Sequence, residues 1–288
     1  MANWYYPKGS AALEGWTTVI DSATEGWEHT GLKVAELSQG QTLSLPAGPV
    51  ERVVLPLSGA FTVLPDGGDG IVLAGRPSVW TGPSDTAYVG PGQGLRLSGE
   101  GRVAVCEAAA TEARPATHQP ASAVPVELRG AGACSREVRN FGTPGTLAAQ
   151  SIIACEVITP AGNWSSYPPH KHDEELEGVE TALEEIYYFQ MRSIAQGQGA
   201  PLAYQRVSAS PGREIDVLAE VHDGDVVLVP FGWHGPSMAA PGYDLYYLNI
   251  MAGPGRERAW RTVDHPDHAW IRQTLEGQSL DPRLPFGV

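Results

Sequence analysis

Short runs of apolar and β-branched residues, each closed by glycine, proline, aspartate or serine, recur along most of this 288-residue chain. Residues 50–64 (VERVVLPLSGAFTVL) form two such runs, interrupted at Ser58-Gly59. Residues 77–82, 86–94 and 101–108 repeat the style. Strands of about five residues between turn formers are typical of β-sandwiches and barrels. The pattern therefore predicts an all-β protein.

The second half of the chain repeats this pattern of strands and turns. Residues 77–108 and 224–252 share one layout: a strand, a Gly/Pro break, a short irregular stretch and a final apolar strand. Such self-similarity is a weak internal repeat. It predicts two similar β-barrels in tandem.

A stretch rich in alanine, proline and serine, residues 108–135, separates the two halves and is poor in large apolar side chains. Its composition indicates a connection between domains, stiffened by prolines. We therefore predict an N-terminal barrel at 1–110, a connecting segment at 111–135, and a C-terminal barrel with a C-terminal arm at 136–288. Residues 267–275 (DHAWIRQTL) could form one or two helical turns within that arm, and the last eight residues are predicted to be extended.

Composition excludes some partners. The formal net charge is −14 and basic runs are absent, which argues against nucleic acid and anionic membranes as partners. The three cysteines are an odd number without CxxC spacing, so they predict a reducing compartment rather than a disulfide framework. No run approaches the roughly 18 apolar residues of a membrane span. We expect a cytoplasmic protein.

Candidate chemistry begins in residues 164–175 (WSSYPPHKHDEE), where His170 and His172 follow a double proline. Side chains two positions apart on a strand project from the same face. The pair therefore aims two imidazoles at one point, and neutral imidazole is a common metal ligand.

Further ligands are expected from other strands. In residues 183–189 (LEEIYYF), Glu185 and Tyr187 share one strand face, whereas Glu184 lies on the other. His234 ends an apolar strand at a glycine-bounded turn, from which it can point into a barrel mouth. Three imidazoles and one carboxylate would suit one divalent ion: Zn, Mn, Fe, Ni or Co.

Several longer strings carry a family resemblance: residues 134–145 (CSREVRNFGTPG), 163–173 (NWSSYPPHKHD), 183–188 (LEEIYY), 224–230 (GDVVLVP) and 232–254 (GWHGPSMAAPGYDLYYLNIMAGP). Together they resemble the 5-deoxy-glucuronate isomerase (IolB) family, bicupins of myo-inositol catabolism. The resemblance is strong from about Cys134 to the C-terminus and loose in the N-terminal half. It implies two tandem cupin-type (double-stranded β-helix, jelly-roll) barrels.

The resemblance to cupins also implies a ligand set of His170, His172, Glu185 and His234. One departure is the spacing, because simple cupins place the glutamate three or four residues beyond the second histidine. Glu177 is the rival at closer spacing. We favour Glu185 because Glu177 stands beside Gly178 in a polar loop, whereas Glu185 has the context of a strand.

The resemblance further implies an aldose–ketose isomerisation of 5-deoxy-glucuronate to 5-dehydro-2-deoxy-gluconate. A divalent metal would assist it, by proton transfer through an enediol or by a hydride shift. Candidates for the base are Tyr187, Tyr247 and Lys171. Arg136 and Arg139 are candidates for binding the carboxylate of a sugar-acid substrate, because the guanidinium group suits bidentate contact.

Other functions stay open at this point: a different metal-cupin enzyme such as an oxygenase, a non-enzymatic sugar-acid-binding bicupin, and the ketol-isomerase of pectin and uronate breakdown. A homo-oligomer is also compatible with the sequence. The remaining histidines are expected to be structural or solvent-facing: His29, His118, His222, His265 and His268. We therefore expect the N-terminal barrel to lack this metal site.

Overall fold

Strands dominate the computed structural model, which describes residues 3–195 and 199–287. The first half contains β1 (Tyr5–Tyr6), β2 (Thr18–Ile20), β3 (Thr30–Leu37), β4 (Thr42–Leu45), β5 (Val50–Pro56), β6 (Gly59–Pro65), β7 (Ile71–Arg76), β8 (Thr86–Val89), β9 (Leu95–Ala109), β10 (Thr117–Gln119) and β11 (Val126–Arg129). The second half contains β12 (Arg136–Gly142), β13 (Ile153–Thr159), β14 (Trp164–Ser165), β15 (His170–Lys171), β16 (Glu184–Ser193), β17 (Ala203–Ser210), β18 (Arg213–Val221), β19 (Val226–Val229), β20 (Trp233–Ala239), β21 (Tyr243–Ala252) and β22 (Val263–Asp264). Short helical turns occur at Val79–Thr81, Ala121–Ala123, Gly132–Cys134 and α1 (Ile271–Leu275). The prediction of an all-β protein is confirmed.

The N-terminal barrel is built around the long strand β9. Residues 101–109 of β9 pair with β3 and β5, whereas residues 95–100 pair with β4 and β6 in a second sheet. Gly101 lies at this change of partner with φ +123°, and a Cβ there would lie 2.2 Å from the Ser58 carbonyl oxygen. A residue without a side chain therefore allows β9 to bend from one sheet into the other.

The C-terminal barrel also consists of two antiparallel sheets. One has the order β1-β19-β16-β21-β13-β12-β11, and the other runs β18-β17-β20-β15-β22 with β14 paired to β20. The first sheet faces the N-terminal barrel with one side and the interior of its own barrel with the other. Along β16, Tyr187 and Phe189 point into the barrel, whereas Ile186 and Tyr188 join a core shared by both barrels.

Polar contacts reinforce the shared core between the barrels. Arg76 on β7 binds Glu156 on β13 with both Nη atoms of its guanidinium group, and Tyr246 donates to the same carboxylate at 2.8 Å. Glu51 accepts backbone N–H groups of residues 150–152 at 2.6–2.8 Å. Buried carboxylates satisfied in this way fix the orientation of the two barrels.

The predicted boundaries at residues 110 and 135 stay a prediction, and the pairing of strands crosses them. β1 lies within 1–110 but pairs with β19 of the C-terminal barrel. The connecting segment contains β10, which pairs with β8, and β11, which pairs with β12. The segment is therefore anchored to both barrels.

The C-terminal arm contains the helical turn expected within residues 267–275, at α1. Within the predicted extended run, residues 282–283 and 286–287 form turns, and residue 288 lies outside the described residues. Phe286 packs near Trp80 of the N-terminal barrel at a centroid distance of 6.3 Å. In the described residues, no helix has the length and apolar character needed to cross a bilayer.

Candidate metal centre

A cavity of about 300 Å³ opens into the C-terminal barrel. Residues from both sheets, the connecting segment and the arm line it. Three groups of side chains face it. They are the metal-ligand candidates His170 and Glu185, the hydroxyls of Ser166, Tyr187 and Tyr247, and the guanidinium groups of Arg129, Arg136 and Arg272.

Three imidazoles meet at the inner end of this cavity. His170 on β15 is the direct antiparallel partner of His234 on β20, and His172 follows one residue after β15. One ring nitrogen from each histidine lies within 4.8 Å of the others. The structure therefore brings together the histidines of the predicted set.

Backbone carbonyls orient these three rings. The Nδ1 atoms of His170, His172 and His234 lie 3.4, 3.0 and 3.1 Å from the carbonyl oxygens of Pro168, Leu183 and Gly232. A carbonyl can only accept, so each Nδ1 carries a proton, and a neutral ring held in this way can offer the lone pair of its Nε2 to a cation. This is the arrangement in which a neighbouring acceptor fixes a metal-binding imidazole.

Glu185 on β16 completes the cluster. Its Oε2 lies 3.1 Å from both His172 Nε2 and His234 Nε2. The approach to His234 does not have hydrogen-bond geometry, so this buried Nε2 has no hydrogen-bond partner among the described residues. Ligands each about 2.1 Å from one ion would lie at comparable separations. The donor set and the unpartnered nitrogen therefore fit a divalent cation.

Electrostatics agree with this interpretation. Burial and the two neighbouring imidazoles hold the pKa of His170 well below its usual range, so that ring is neutral. Burial alone would raise the pKa of Glu185, but the nearby His172 and His234 rings outweigh it and lower that pKa to about 2. For His172, burial would lower the pKa, and the contact with Glu185 raises it instead. An ionised carboxylate among imidazoles is prepared for a cation.

The two alternative glutamates lie elsewhere. Glu177 is exposed in the turn between β15 and β16. Glu184 points towards the N-terminal barrel, where its Oε1 accepts from the His29 and Thr30 backbone N–H groups at 2.7 and 2.6 Å. The face assignment that favoured Glu185 agrees with both placements.

Lys171 and Arg139 do not line the cavity, so neither is placed to act on a substrate there. Lys171 Nζ lies 2.8 Å from Asp173 and 2.9 Å from both Glu174 and Glu180. This corrects its assignment as a base, because the residue between two inward histidines faces outward.

Arg139 is fully buried between the barrels. It binds Glu137 at 2.7 Å and donates to the carbonyl oxygens of Val79 and Gly82. It lies three positions from Arg136 on β12, and an odd spacing places the two on opposite faces. Arg139 is therefore corrected from a carboxylate-binding candidate to a contact between barrels.

Arg136 does line the cavity, and it has no carboxylate partner among the described residues. Its hydrogen bond goes to the Cys134 carbonyl oxygen at 3.1 Å. Burial lowers the pKa of Arg136, and nearby Arg129 lowers it further. Arginine nevertheless stays protonated at neutral pH, so this end of the cavity carries a positive charge with no carboxylate partner.

Sequence reasoning missed several residues of the cavity. Arg129 lies on β11 in the connecting segment, pairs with Glu127 at 2.8 Å, and stacks over Trp260. Arg272 lies on α1 in the arm and binds Asp264. Neither segment has a motif that points to a site, because only the three-dimensional fold brings them to the barrel mouth. Ser166 was missed although it lies within residues 163–173, because its place in the cavity depends on its backbone conformation.

Comparison with known proteins supports the family assignment. The family model described as the KduI/IolB family matches residues 4–271. A 5-deoxy-glucuronate isomerase of Geobacillus kaustophilus (strain HTA426) is 38% identical, over 95% of this chain and 97% of that protein. Another, of Shouchella clausii (strain KSM-K16), is 36% identical over 92% and 96%.

Solved structures agree. The crystal structure of an IolB-like protein from Salmonella typhimurium LT2 has a TM-score of 0.84 at 33% identity, covering 94% of this chain and 99% of that one. An oxalate decarboxylase of Lactobacillus farciminis has a TM-score of 0.63 at 12% identity, covering 96% and 97%. The second likeness bears on the fold alone, and it confirms the predicted bicupin architecture. From the matched residues and these relatives, we conclude that the chain belongs to the KduI/IolB family.

Proposed function

We propose that this chain is a metal-dependent aldose–ketose isomerase that converts 5-deoxy-glucuronate to 5-dehydro-2-deoxy-gluconate in myo-inositol catabolism. One observation carries the proposal: a single cavity contains a histidine–glutamate cluster and an arginine that has no carboxylate partner in the described part of the chain. An aldehyde acid matches both, since its carbonyl suits a cation and its carboxylate suits a guanidinium. Relatives at 34–38% identity bear the name of this isomerase.

Four side chains would hold the cation: His170, His172, Glu185 and His234. The donor set is compatible with Zn, Mn, Fe, Ni or Co. When bound, the cation supplies positive charge that stabilises the negative charge developing on the substrate's carbonyl oxygen. The chain contributes rigidity, because backbone carbonyls fix the three imidazoles before any ligand arrives.

Arg136 would bind the substrate carboxylate. Arg129 and Arg272 are each already paired with an acidic residue. These two pairs are neutral overall, so Arg136 leaves one net positive charge among the three arginines. One positive charge matches the single carboxylate of the substrate. Fixing that end orients the carbonyl end towards the cluster, and positioning of this kind is a large part of catalysis.

Tyr187 and Tyr247 would contribute to proton transfer. Both phenols line the cavity and are almost fully buried. Burial raises the pKa of Tyr187 well above its usual value, and raises that of Tyr247 to about 12. Both are protonated at neutral pH, so they enter the reaction as neutral phenols rather than as phenolates.

The proposal places the enzyme in the cytoplasm, acting on a small sugar acid with neither nucleic acid nor a membrane as partner. Supporting features are the acidic net charge of −14 and three buried, unpaired thiols at Cys106, Cys134 and Cys155. A homo-oligomer is compatible with the proposal.

The test combines NMR with elemental analysis of the purified protein. We expect 5-deoxy-glucuronate to be converted with no oxygen uptake and about one divalent ion per chain. The deoxy-diulose uronate of pectin breakdown should be turned over more slowly. A chelator should remove both metal and activity, and adding the metal back should restore both.

Two results would contradict the proposal. Tight binding of 5-deoxy-glucuronate without turnover in metal-replete protein would favour a sugar-acid-binding bicupin. Faster turnover of the pectin-derived substrate would place the chain with the ketol-isomerases of uronate breakdown.

A further inference from the structure

Ser166 stands between the two cavity tyrosines. Its Oγ lies 3.2 Å from the Tyr187 hydroxyl and 3.2 Å from the Tyr247 hydroxyl. Each phenol hydroxyl is therefore within hydrogen-bond distance of the same serine. All three side chains line the cavity beside His170 and Glu185.

The backbone of Ser166 is held in an uncommon conformation to reach this position. Its φ is +49°, in the left-handed region that favours glycine. Its carbonyl oxygen packs so closely on Gly235 that a Cβ there would lie 1.8 Å away. A serine kept where glycine would fit more easily suggests that its hydroxyl has a use.

Counting protons shows what the three hydroxyls can do. A serine hydroxyl has one proton and two acceptor lone pairs, so Ser166 can donate to one phenol while it accepts from the other. Two of the three hydroxyl protons are then used within the chain. The third, on the tyrosine that Ser166 donates to, is left to point into the cavity. Reversing both hydrogen bonds moves this free donor from one tyrosine to the other.

We propose that Ser166 couples Tyr187 and Tyr247 into a three-hydroxyl relay that carries the oxygen-bound proton during isomerisation. This inference rests on the proposed aldose–ketose reaction. In that reaction the C2 hydroxyl of the aldose loses a proton and the C1 carbonyl oxygen gains one. One tyrosine accepts the C2 hydroxyl proton and passes its own to Ser166. Ser166 passes its proton to the other tyrosine, which protonates O1.

The relay is balanced, and rotation of the three hydroxyls returns it to its starting direction before the next turnover. Each hydroxyl breaks one O–H bond and forms one, no electrons are gained or lost, and the hydrogen-bond direction is reversed. The hydrogen on C2 moves to C1 separately, and the relay is needed whether it moves as a proton or as a hydride. Ser166 is thus a positioning residue that acts through the tyrosines.

The test compares Ser166→Ala and Ser166→Gly with Ser210→Ala. Ser210 is a buried serine of the same barrel, and its hydroxyl binds Asp173 away from the cavity. Glycine accepts the positive φ, so Ser166→Gly serves if Ser166→Ala folds poorly. Elemental analysis and circular dichroism check that every variant keeps its metal and fold.

We expect both Ser166 variants to lose about 100-fold in kcat, within the range of general acid–base catalysis, with KM and metal content unchanged. The solvent isotope effect of the wild type should respond non-linearly to the deuterium fraction and become linear in the variants. Ser166→Ala/Tyr247→Phe should lose no more than the worse single variant, because members of one relay are not additive.

The outcomes separate the two proposals. A wild type that does not convert 5-deoxy-glucuronate overturns the proposed function and the relay with it. An active wild type with near-normal kcat in both Ser166 variants overturns the relay alone, as do multiplicative losses in the double variant.

Discussion

The two barrels of this chain have similar architecture but differ in what fills them. The N-terminal barrel packs Phe61, Val63, Leu95 and Leu97 from β6 and β9 against one another, all at 2% exposure or less. The C-terminal barrel directs imidazoles, a carboxylate and phenols into the corresponding space. The same fold therefore provides a packed core in one half and a chemical site in the other.

This difference has an energetic side. Burying a Val, Leu or Phe side chain contributes about 1.5–3 kcal/mol, whereas a buried polar group is destabilising unless it is hydrogen-bonded. The C-terminal barrel hydrogen-bonds the Nδ1 atoms of its imidazoles to backbone carbonyls. It also shares a core with its neighbour, through residues such as Ile186 and Leu248. We infer that the N-terminal barrel helps to stabilise the C-terminal barrel, whose interior holds the candidate site.

Removing one imidazole should have the largest effect. We expect His172→Ala to lower both metal content and kcat/KM by more than about 10³-fold, because it removes a proposed ligand whose ring is oriented by the Leu183 carbonyl oxygen. His222→Ala, in the same barrel but bound to the Pro201 carbonyl oxygen, should keep both. Elemental analysis with NMR turnover measures this. Full metal content and activity in His172→Ala would disprove the assignment.

A core substitution in the other barrel should change stability instead. Leu97→Ala should reduce the free energy of unfolding by about 2–5 kcal/mol, because Leu97 is fully buried in the N-terminal barrel. Its activity per folded molecule should stay near that of the wild type. Urea unfolding measures the loss, with Val72→Ala as the control because Val72 is 70% exposed. A large loss of activity in folded Leu97→Ala would instead place the N-terminal barrel in the reaction.

The arginine at the cavity mouth should affect substrate binding. We expect Arg136→Met to raise KM by about 10–100-fold, the equivalent of one charged hydrogen-bonded contact, with the metal retained. Arg206→Met is the control, because Arg206 binds Asp216 on β18. Steady-state kinetics distinguish the two. An unchanged KM for Arg136→Met would mean that another group binds the carboxylate.

The smallest effect should come from a histidine–carboxylate pair of the N-terminal barrel. His118 lies 3.1 Å from Asp85, which also accepts from the Ala74 and Gly75 backbone N–H groups. His118 is partly exposed, so His118→Ala should cost no more than about 1 kcal/mol and leave metal content unchanged. Loss of metal in this variant would contradict the contrast between the barrels.

The same pair predicts a pH dependence. Burial would raise the pKa of Asp85, but the Gly75 N–H, His118 and the Ala74 N–H outweigh it and lower that pKa. A lowered folded-state pKa contributes stability above the unfolded value of about 3.9, and this is lost as the pH falls below it. Asp85→Asn should therefore approach the wild type in acid unfolding below about pH 4. An equal gap at all pH values would exclude this linkage.

Local rules predicted much of the candidate site. The spacing of His170 and His172 and the face of Glu185 follow from strand alternation. The same alternation places the Lys171 side chain on the face opposite its two histidine neighbours. It also places Arg136 and Arg139 on opposite faces of β12. Arg129 and Arg272 lie beyond such rules, because the connecting segment and the arm reach the cavity only through long-range packing.

Ser166 illustrates another limit. Its position depends on a left-handed backbone conformation, which the amino-acid sequence does not reveal at a serine. The fold class was accessible because strand and turn patterns are local. The pairing of β1 with the C-terminal barrel could not be predicted, because a two-residue strand carries almost no sequence pattern.

That short strand has a practical consequence. β1 hydrogen-bonds to β19, while the far end of the chain places Phe286 near Trp80. Each barrel therefore contacts a terminal segment that belongs, in sequence, to the other half of the chain. Expressing either half alone would remove a terminal segment that packs on the half that is retained. The two barrels should therefore melt together as one cooperative unit rather than in two steps.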